Sequence, residues 1–462
     1  MVRSERILIA GGGIAGLTLA TALRRRGFDP ELVERSMTWD TVGAGIAVQP
    51  NGMRALLALG IGTAVKHLGA AISHWLFCDH RGEVLCEIDL EKLWGDVGVF
   101  IGIERVRLQA ALRSAAAGTR CRLGTWVAAL SQLGGCVSVV FSDSRAAEYD
   151  LVVGADGISS TVRRLASNPS SPVYDGQMAW RSIAQIGPGS LQSLQFWLGD
   201  GCFFGLCPVG NGRTYGFGNV TGPRLQDPVQ GRLGRLRDRF AGFGGLVHEY
   251  LAGLERDEQI HCGPVEWLEA KEWRSGRVVL IGDAAHASSP MMGQGGCMAM
   301  EDAVVLAELL GSLDSVDNAV DAYVKRRRHR VDWVQQQSRA VGESLGMQPG
   351  IRNAALRERG GKMFRQRFGP LLEENDTKPA NGIPVEGPEP LSVGVRRKIG
   401  GEHADQSESH DDPSVGSILT LTGAQIPLAE ERRAGQCEER NREGNQGRVR
   451  EEGGEPAPTE DG

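Results

Sequence analysis

The beginning of the chain carries the pattern that most constrains its fold. An apolar run at 6–10 is followed by the glycine-rich turn GGGIAG, by the helical pattern LTLATALRRRG and by a second strand-like run, PELVER. This order is typical of a β-α-β unit, in which a helix connects two parallel strands. Apolar runs at 150–157 and 277–286 have the continuous Val, Ile and Leu content of strands buried on both faces. We therefore expect an α/β fold built on a Rossmann-like parallel sheet.

The middle of the chain has a different texture. Residues 194–220 contain three aromatic-rich runs separated by Asp200-Gly201 and by the Gly-Asn-Gly turn at 210–212, a pattern typical of an antiparallel meander. Residues 74–90 have the pattern of another hairpin, and helical patterns return after Met298. The sequence therefore predicts a parallel domain that is interrupted by antiparallel strands and followed by C-terminal helices.

Charge is divided unevenly along the 462 residues, and this bears on possible partners. The net charge is −6, but residues 373–462 contain 20 acidic and 10 basic residues, which leaves residues 1–372 with a net charge of +4. A nearly neutral folded part does not favour nucleic acid as a partner. Residues 373–462 have no aromatic residue and are rich in Glu, Gly, Pro, Arg and Ser, so we expect a disordered acidic tail.

Cysteine usage and hydropathy bear on the cellular setting. The nine cysteines form no CxxC pair and no His/Cys cluster with zinc spacing, so we expect no metal site and reduced thiols. The apolar run near the start superficially resembles a signal peptide, but its glycines suit a nucleotide turn better. No apolar stretch reaches membrane-spanning length. We expect a cytoplasmic monomer or homodimer without a membrane span.

Three glycines give the first turn its chemistry. Gly11, Gly13 and Gly16 form a G-x-G-x-x-G pattern directly between a strand and a helix. The first permits a tight turn, the second lets a pyrophosphate approach the backbone, and the third lets the helix pack closely on the strand. Glu34, at the end of the next strand, is placed to bind a pair of ribose hydroxyls. This pattern fits NAD and FAD equally well, and a glycine-rich turn without a ligand is the alternative.

Further motifs follow in a definite order. Arg105 opens the helical run RVRLQAAL, and GADGISSTVR places Asp156 in a strand-to-helix turn. The segment IGDAAHASSPMMGQGGCMAMEDA then places Asp283 at the end of another strand. With GGGIAG and Glu34, these motifs resemble the flavin-dependent aromatic hydroxylases, the group A FAD monooxygenases with the p-hydroxybenzoate hydroxylase fold. The resemblance covers about residues 6–346 and is closer to urate, salicylate and hydroxynicotinate hydroxylases and to zeaxanthin-epoxidase-like members.

This resemblance implies an FAD site made from the same motifs. In the family, the aspartate at the position of Asp283 contacts the ribityl and pyrophosphate region, and a histidine often stands where this chain has Glu104. Amides at the start of the helix after GQGG would stabilise the negative charge of a reduced flavin. The implied FAD-binding residues are Gly11, Gly13, Ala15, Gly16, Glu34, Arg35, Gly45, Arg105, Gln109, Asp156, Asp283, Gly293, Gln294, Gly295 and Gly296.

Arg181 and Pro290 are the candidate catalytic residues. Arg181 lies in AWRSIA, which resembles a family segment whose arginine lies near the flavin and the substrate, with a structural salt bridge as the alternative. Pro290 has no amide hydrogen, so its segment can face the flavin ring without an unmet donor. For His286, a proton shuttle and a histidine bonded to the backbone both remain open. No residue pair identifies a general base for a phenolic substrate.

Two other patterns have competing interpretations. The phenylalanines of the meander and Trp197 either line an aromatic pocket or belong to an ordinary core. The basic run KRRRHR at 325–330 could indicate nuclear localisation or RNA binding. Within a helix, however, we expect it to be a solvated face beside acidic neighbours.

The change of texture and the resemblance together predict the domain organisation. We expect an FAD-binding domain, a substrate-binding domain with a β-sheet, and a helical segment before the acidic tail. Their predicted ranges are 1–73, 101–172 and 263–345 for the first, 74–100 and 173–262 for the second, and 346–372 for the third.

The function that the resemblance implies is oxygen insertion. A flavin hydroxylase uses NADH or NADPH to reduce FAD, and O₂ then forms a C4a-hydroperoxyflavin that delivers one oxygen atom. We expect the substrate to be a small aromatic or heteroaromatic compound. An epoxidase acting on an olefin and a protein that binds FAD without turnover are the alternatives.

Overall fold

The computed structural model describes residues 5–39, 44–166, 170–185 and 191–373. Apart from Glu373, the predicted disordered acidic tail lies outside these residues. None of the helices in these ranges combines the length and the apolar character that crossing a membrane would require.

Strands and helices alternate along most of the described chain. The strands are β1 (Ile7–Ala10), β2 (Glu31–Glu34), β3 (Gly45–Val48), β4 (Ala70–Ile72), β5 (His74–Asp79), β6 (Val84–Asp89), β7 (Phe100–Glu104), β8 (Arg120–Leu123), β9 (Val127–Leu133), β10 (Cys136–Phe141), β11 (Ala146–Tyr149), β12 (Leu151–Gly154), β13 (Val173–Gln185), β14 (Leu194–Leu198), β15 (Cys202–Pro208), β16 (Arg213–Thr221), β17 (His261–Trp267), β18 (Arg274–Ser275) and β19 (Val278–Leu280). The helices are α1 (Ile14–Arg25), α2 (Pro50–Ala58), α3 (Gly62–Leu68), α4 (Leu90–Trp94), α5 (Arg105–Ala115), α6 (Thr161–Leu165), α7 (Arg232–Arg239), α8 (Leu246–Ala252), α9 (Asp283–His286), α10 (Gly295–Ser312), α11 (Val316–Ser344) and α12 (Pro349–Leu372).

A largely parallel sheet carries the first turn. Its strand order is β18-β19-β12-β1-β2-β8, and of the pairings described within this sheet only β18–β19 is antiparallel. All four residues of β1 are at most 3% exposed, as the continuous apolar run predicts for a strand covered on both faces. Because parallel strands end at one edge, the turns after β1, β12 and β19 lie close together.

A second, mostly antiparallel sheet has the order β17-β13-β16-β15-β14-β5-β6. Strands β14, β15 and β16 form the predicted meander, while β14 pairs with β5 in parallel. One face of this sheet packs on α7 and α8, where Trp180, Phe204, Phe240 and Tyr250 share a core. The other face is left to line a cleft.

The remaining strands form two small antiparallel sheets, β11-β10-β9 and β3-β7-β4. Strand β7 and strand β17 run across the predicted domain boundaries at residues 101 and 263. The proposed division into FAD-binding and substrate-binding domains remains a prediction.

The expectation of a solvated basic face at 325–330 is wrong for Arg327. This residue lies in α11, is fully buried, and its Nε and Nη1 donate to Asp302 Oδ1 at 2.7 Å and Glu301 Oε2 at 2.6 Å. Arg330 Nε also donates to Glu301 Oε2, at 2.9 Å. The basic run therefore fastens α11 to α10, because the acidic partners of these arginines are in another helix that lies against it.

Candidate active site

The first helix begins with free amide donors. The residue before α1 is Gly13, and no side chain caps this end of the helix. An added Cβ at Gly13 would meet nothing within 4 Å, whereas one at Gly11 would meet the Ala155 carbonyl oxygen at 2.3 Å. Gly11 also has φ +116°, a conformation that side chains rarely tolerate. The turn is therefore tightly packed beneath and open above, as a pyrophosphate site requires.

Glu34 is held at the end of β2 by the turn itself. Its Oε2 accepts from the Gly12 amide at 2.6 Å, and its Oε1 accepts from the Ser36 amide at 2.8 Å. Gln109 Nε2 donates to the Gly12 carbonyl at 3.4 Å, so α5 braces the same turn. Two hydrogen bonds from backbone amides orient the carboxylate and leave its other lone pairs for a ligand.

Arg35 and Asp156 contact a neighbouring helix start. Arg35 Nη2 donates to the Thr161 hydroxyl at 2.8 Å, and its guanidinium lies 5.8 Å from the Trp126 ring centroid. Asp156 Oδ2 accepts from the amides of Thr161 at 2.7 Å and Val162 at 3.1 Å. Asp156 thus accepts hydrogen bonds from the first two backbone amides of α6. A cofactor contact for Asp156 or for Arg35 remains a prediction.

A cleft of about 340 Å³ lies between the starts of α1 and α10 and the open face of the second sheet. The structure brings ten of the predicted site residues to its lining: Gly13, Ala15, Gly45, Arg105, Arg181, Asp283, Pro290, Gly293, Gly295 and Gly296. The other predicted residues, Gly11, Gly16, Glu34, Arg35, Gln109, Asp156 and Gln294, lie outside that lining. Gly11, Gly16, Glu34 and Gln109 belong to the turn beside the cleft or contact it.

Asp283 lies at the start of α9, directly after β19 and Gly282. Its side chain is exposed in the cleft, and an added Cβ at Gly295 would lie 3.8 Å from its Oδ1. Within the described part of the chain, the Asp283 carboxylate has no hydrogen-bond or ion-pair partner. An unpartnered acceptor beside a helix start is suited to binding ligand hydroxyls.

Helix α10 presents a second uncapped start to the cleft. It begins at Gly295, with no side-chain cap from Gln294, and Gly296 lies next in the cleft lining. Gln294 itself points elsewhere: its Nε2 donates to Gln49 Oε1 at 2.7 Å and to Asn51 Oδ1 at 3.1 Å. The structure therefore gives the Gln294 side chain a supporting position under the loop, since it is only 1% exposed.

Sequence reasoning missed a buried ionic network behind this loop. His286 Nε2 lies 2.6 Å from Asp302 Oδ2, so this ring nitrogen contacts a carboxylate rather than a backbone group, the second of the two alternatives for His286. The same Asp302 oxygen accepts from the Gly282 amide at 2.9 Å. Burial alone would raise the pKa of Asp302, but His286 and Arg327 outweigh it and hold that pKa below its usual value. The acidic pair after GQGGCMAM was the signal that could have indicated this network.

Arg181 faces the cleft from β13. Its guanidinium lies near Tyr215, and burial raises the pKa of that tyrosine although Arg181 opposes the change. No carboxylate of the described residues forms an ion pair with Arg181, so the salt-bridge alternative is not observed there. Pro290 begins a 3₁₀ helix, Pro290–Met292, that borders the same cleft.

The two interpretations of the aromatic residues are both correct, for different residues. Phe196, Phe203 and Phe217 line the cleft. Trp197 and Phe204 instead belong to the core between the sheet and helices α7 and α8. Alternation along each strand separates neighbours in sequence onto opposite faces.

Known proteins are similar to this chain over most of its length. Residues 5–338 match a family model described as FAD binding domain. Aurachin C monooxygenase/isomerase from Stigmatella aurantiaca is 35% identical over 340 residues, which cover 73% of this chain and 88% of the relative. The 3-amino-4-hydroxybenzoate 2-monooxygenase from Streptomyces cremeus is 32% identical over 364 residues, covering 75% and 89%. Among solved structures, Klebsiella pneumoniae HpxO complexed with FAD and uric acid has a TM-score of 0.75 at 26% identity, covering 80% of this chain and 98% of that one.

Proposed function

Because the chain belongs to the FAD-dependent monooxygenases, we propose that it uses NADH or NADPH and O₂ to hydroxylate a small aromatic or heteroaromatic substrate. One observation carries the proposal. A single cleft joins two uncapped helix starts and an unpartnered aspartate on one side to an aromatic sheet face on the other.

The residues present fit FAD at three points. The open space above Gly13 and the free amides of α1 suit the pyrophosphate. The oriented carboxylate of Glu34 suits the ribose hydroxyls. Asp283, which has no partner among the described residues, would accept from the ribityl hydroxyls. The pyrophosphate, the ribose and the ribityl chain of the cofactor thus each have a protein group of complementary chemistry.

Bound FAD, once reduced, supplies the activation of O₂ and the transfer of one oxygen atom. The chain's own residues act around that chemistry. The amides of Gly295 and Gly296 at the start of α10 stabilise negative charge placed beside them. Pro290 contributes no amide donor to the cleft wall, so none is left unsatisfied against an aromatic ring.

Arg181 is the polar group best placed to orient a substrate. It lies on the sheet side of the cleft near Tyr215, and a guanidinium has five N–H donors to offer. A phenolic or carbonyl oxygen of the substrate would accept from it. The surrounding apolar side chains exclude water, which strengthens that hydrogen bond.

The test is a product assay with the purified protein. We expect a yellow protein whose NADH or NADPH oxidation accelerates with one member of a panel of aromatic acids, purines and quinolones. Mass spectrometry should show a product that has gained one oxygen atom from labelled O₂. If the protein binds FAD and no panel member accelerates oxidation, the hydroxylase proposal fails in favour of binding without turnover. An epoxide formed from an olefin would instead establish the epoxidase alternative.

A further inference from the structure

Strand register decides which side chains of the second sheet face the cleft. Phe196 lies opposite Gly205, Gly205 lies opposite Phe217, and Phe217 lies opposite Arg181. These four positions form one row across β14, β15, β16 and β13. Because side chains alternate along a strand, the row two residues further along each strand has the same orientation.

In that next row, Leu198 lies opposite Phe203, Phe203 lies opposite Asn219, and Asn219 lies opposite Ala179. Phe203, Asn219 and Ala179 line the cleft. The row thus presents one aromatic ring, one amide and one small side chain. The small side chain leaves space beside the amide.

Three phenyl rings from the two rows form a continuous wall, which we call the phenyl wall: Phe196, Phe203 and Phe217. Phe196 stacks on Phe203 with centroids 5.2 Å apart, and Phe217 meets Phe196 edge-on at 5.3 Å. An added Cβ at Gly205 would lie 2.2 Å from the Phe217 ring, so this glycine allows the ring to lie across β15. Met291, from the loop before α10, packs on the same cluster.

Three strands of the sheet that faces the cleft contribute no charged side chain to the described lining. The charged side chains among its described lining residues are Arg105, Arg181 and Asp283, and none of them is on β14, β15 or β16. The proposed function assigns Asp283 to FAD and Arg181 to the substrate, and the family resemblance implies FAD binding for Arg105. An anionic group placed against Phe196 or Phe203, which lie two or more strands away from Arg181 on β13, would lose its hydration without gaining an ionic partner there.

Asn219 is the polar exception in the second row. It is 2% exposed, it lines the cleft, and its Oδ1 has no hydrogen-bond partner among the described residues. A buried amide oxygen without a hydrogen-bond partner is rare in native proteins, so a bound ligand is a natural source of the missing donor. The Oδ1 atom can only accept a hydrogen bond, so it favours a ligand group that donates one.

We propose that the phenyl wall and Asn219 select an uncharged aromatic substrate that donates an N–H or O–H hydrogen bond to Asn219 Oδ1. The inference rests on the proposed function for the presence of FAD in the cleft. It goes beyond that function by assigning the substrate's charge and its hydrogen-bonding group, and it names Asn219 as a specificity-determining residue.

Three naphthalene probes separate charge from hydrogen bonding. The FAD-bound protein is titrated at pH 7 with 2-naphthol, 2-methoxynaphthalene and 1-hydroxy-2-naphthoate, and the flavin absorbance change gives each dissociation constant. We expect 2-naphthol to bind about tenfold more tightly than its methyl ether, which lacks the donor, and more tightly than the carboxylate. Equal or tighter binding of 1-hydroxy-2-naphthoate would overturn the proposal.

Substitution of Asn219 supplies the matched test. Asn219→Leu should remove the preference for 2-naphthol over its ether while the ether keeps its affinity, because the phenyl wall is intact. Asn219→Asp, which retains an acceptor, should keep the preference for 2-naphthol over the ether and weaken the carboxylate further. An unchanged preference in Asn219→Leu would overturn the role of this residue.

Binding and turnover report on different conclusions. Tight binding of 2-naphthol without accelerated NADH or NADPH oxidation by any aromatic compound would refute the proposed function and support this substrate preference. Hydroxylation of an anionic compound that also binds more tightly than 2-naphthol would support the proposed function and refute this substrate preference.

Discussion

At the scale of single residues, the turn after β1 separates two roles that one glycine motif combines. Gly11 has a positive φ and lies against the Ala155 carbonyl, so its role is structural. Gly13 has ordinary φ and open space above it, so its role concerns what lies in that space. Adjacent members of one motif should therefore fail differently when substituted.

We expect Gly11→Ala to lower the free energy of unfolding by roughly 1–3 kcal/mol, because it combines backbone strain with a steric overlap. Gly13→Ala is the matched control and should leave unfolding of the FAD-free protein nearly unchanged while weakening FAD binding. Chemical denaturation and FAD titration measure the two effects. Equal losses of stability in both variants would contradict this division of roles.

Asp283 provides a second prediction at the residue scale. Asp283→Ala removes an acceptor that has no described protein partner, so we expect FAD affinity to fall by about tenfold or more with little change in folding. Asp283→Asn keeps one acceptor oxygen and should retain more cofactor. The measurement is the ratio of flavin absorbance to protein after purification. Full occupancy in Asp283→Ala would remove Asp283 from the FAD site.

At the scale of elements, the buried ionic network connects α11, α10 and the loop after β19. Arg327 contacts Glu301 and Asp302, and Asp302 contacts His286 and the Gly282 amide. A buried charge left without its partner is costly, so each member depends on the others. This network holds the loop that presents Asp283 against the helix whose start faces the cleft.

We expect Arg327→Met to lower the free energy of unfolding by about 3–5 kcal/mol, since it removes the buried cation that Glu301 and Asp302 share and leaves Glu301 with Arg330 and Asp302 with His286. Lys325→Met, in the same basic run but exposed, should change it by less than about 0.5 kcal/mol. Denaturant unfolding of both variants tests the contrast. Similar stability of the two variants would place Arg327 outside any stabilising network.

Acid should weaken the same contact between elements. Burial alone would raise the pKa values of Glu301 and Asp302 in the folded protein. Arg327 and Arg330 instead hold the pKa of Glu301 below its usual value, and His286 and Arg327 do the same for Asp302. Their contribution to stability is complete above the unfolded pKa of about 4 and is lost as pH falls through the lower folded values. Unfolding measured from about pH 6 to pH 3 should show this loss, and a smaller loss in Arg327→Met. A pH profile that does not differ between the two proteins would contradict the coupling.

At the scale of the whole molecule, the second sheet serves two environments at once. Phe203 and Phe204 are neighbours in β15, yet Phe203 lines the cleft and Phe204 belongs to the core with α7 and α8. Phe204 meets Phe240 with ring centroids 5.0 Å apart. One strand thus contributes to ligand binding on one side and to stability on the other.

We expect Phe204→Ala to lower the free energy of unfolding by about 3–5 kcal/mol, because it opens a cavity in a closed core. Phe203→Ala should cost less stability, since its space joins the cleft, and should weaken binding of 2-naphthol. Denaturation and the flavin titration distinguish the two residues. A larger stability loss in Phe203→Ala than in Phe204→Ala would contradict the assignment of the faces.

The amino-acid sequence alone determined the local parts of this protein. The first β-α-β unit, the glycine turn, the strand ending at Asp283 and the meander follow from backbone conformation and short-range periodicity, which neighbouring residues control. Tertiary structure decided the rest: the burial of Arg327 against Glu301 and Asp302, the support given by Gln294, and the choice of Phe203 rather than Phe204 for the cleft. Those outcomes depend on which distant element packs against each face, and periodicity within one segment does not specify its partner.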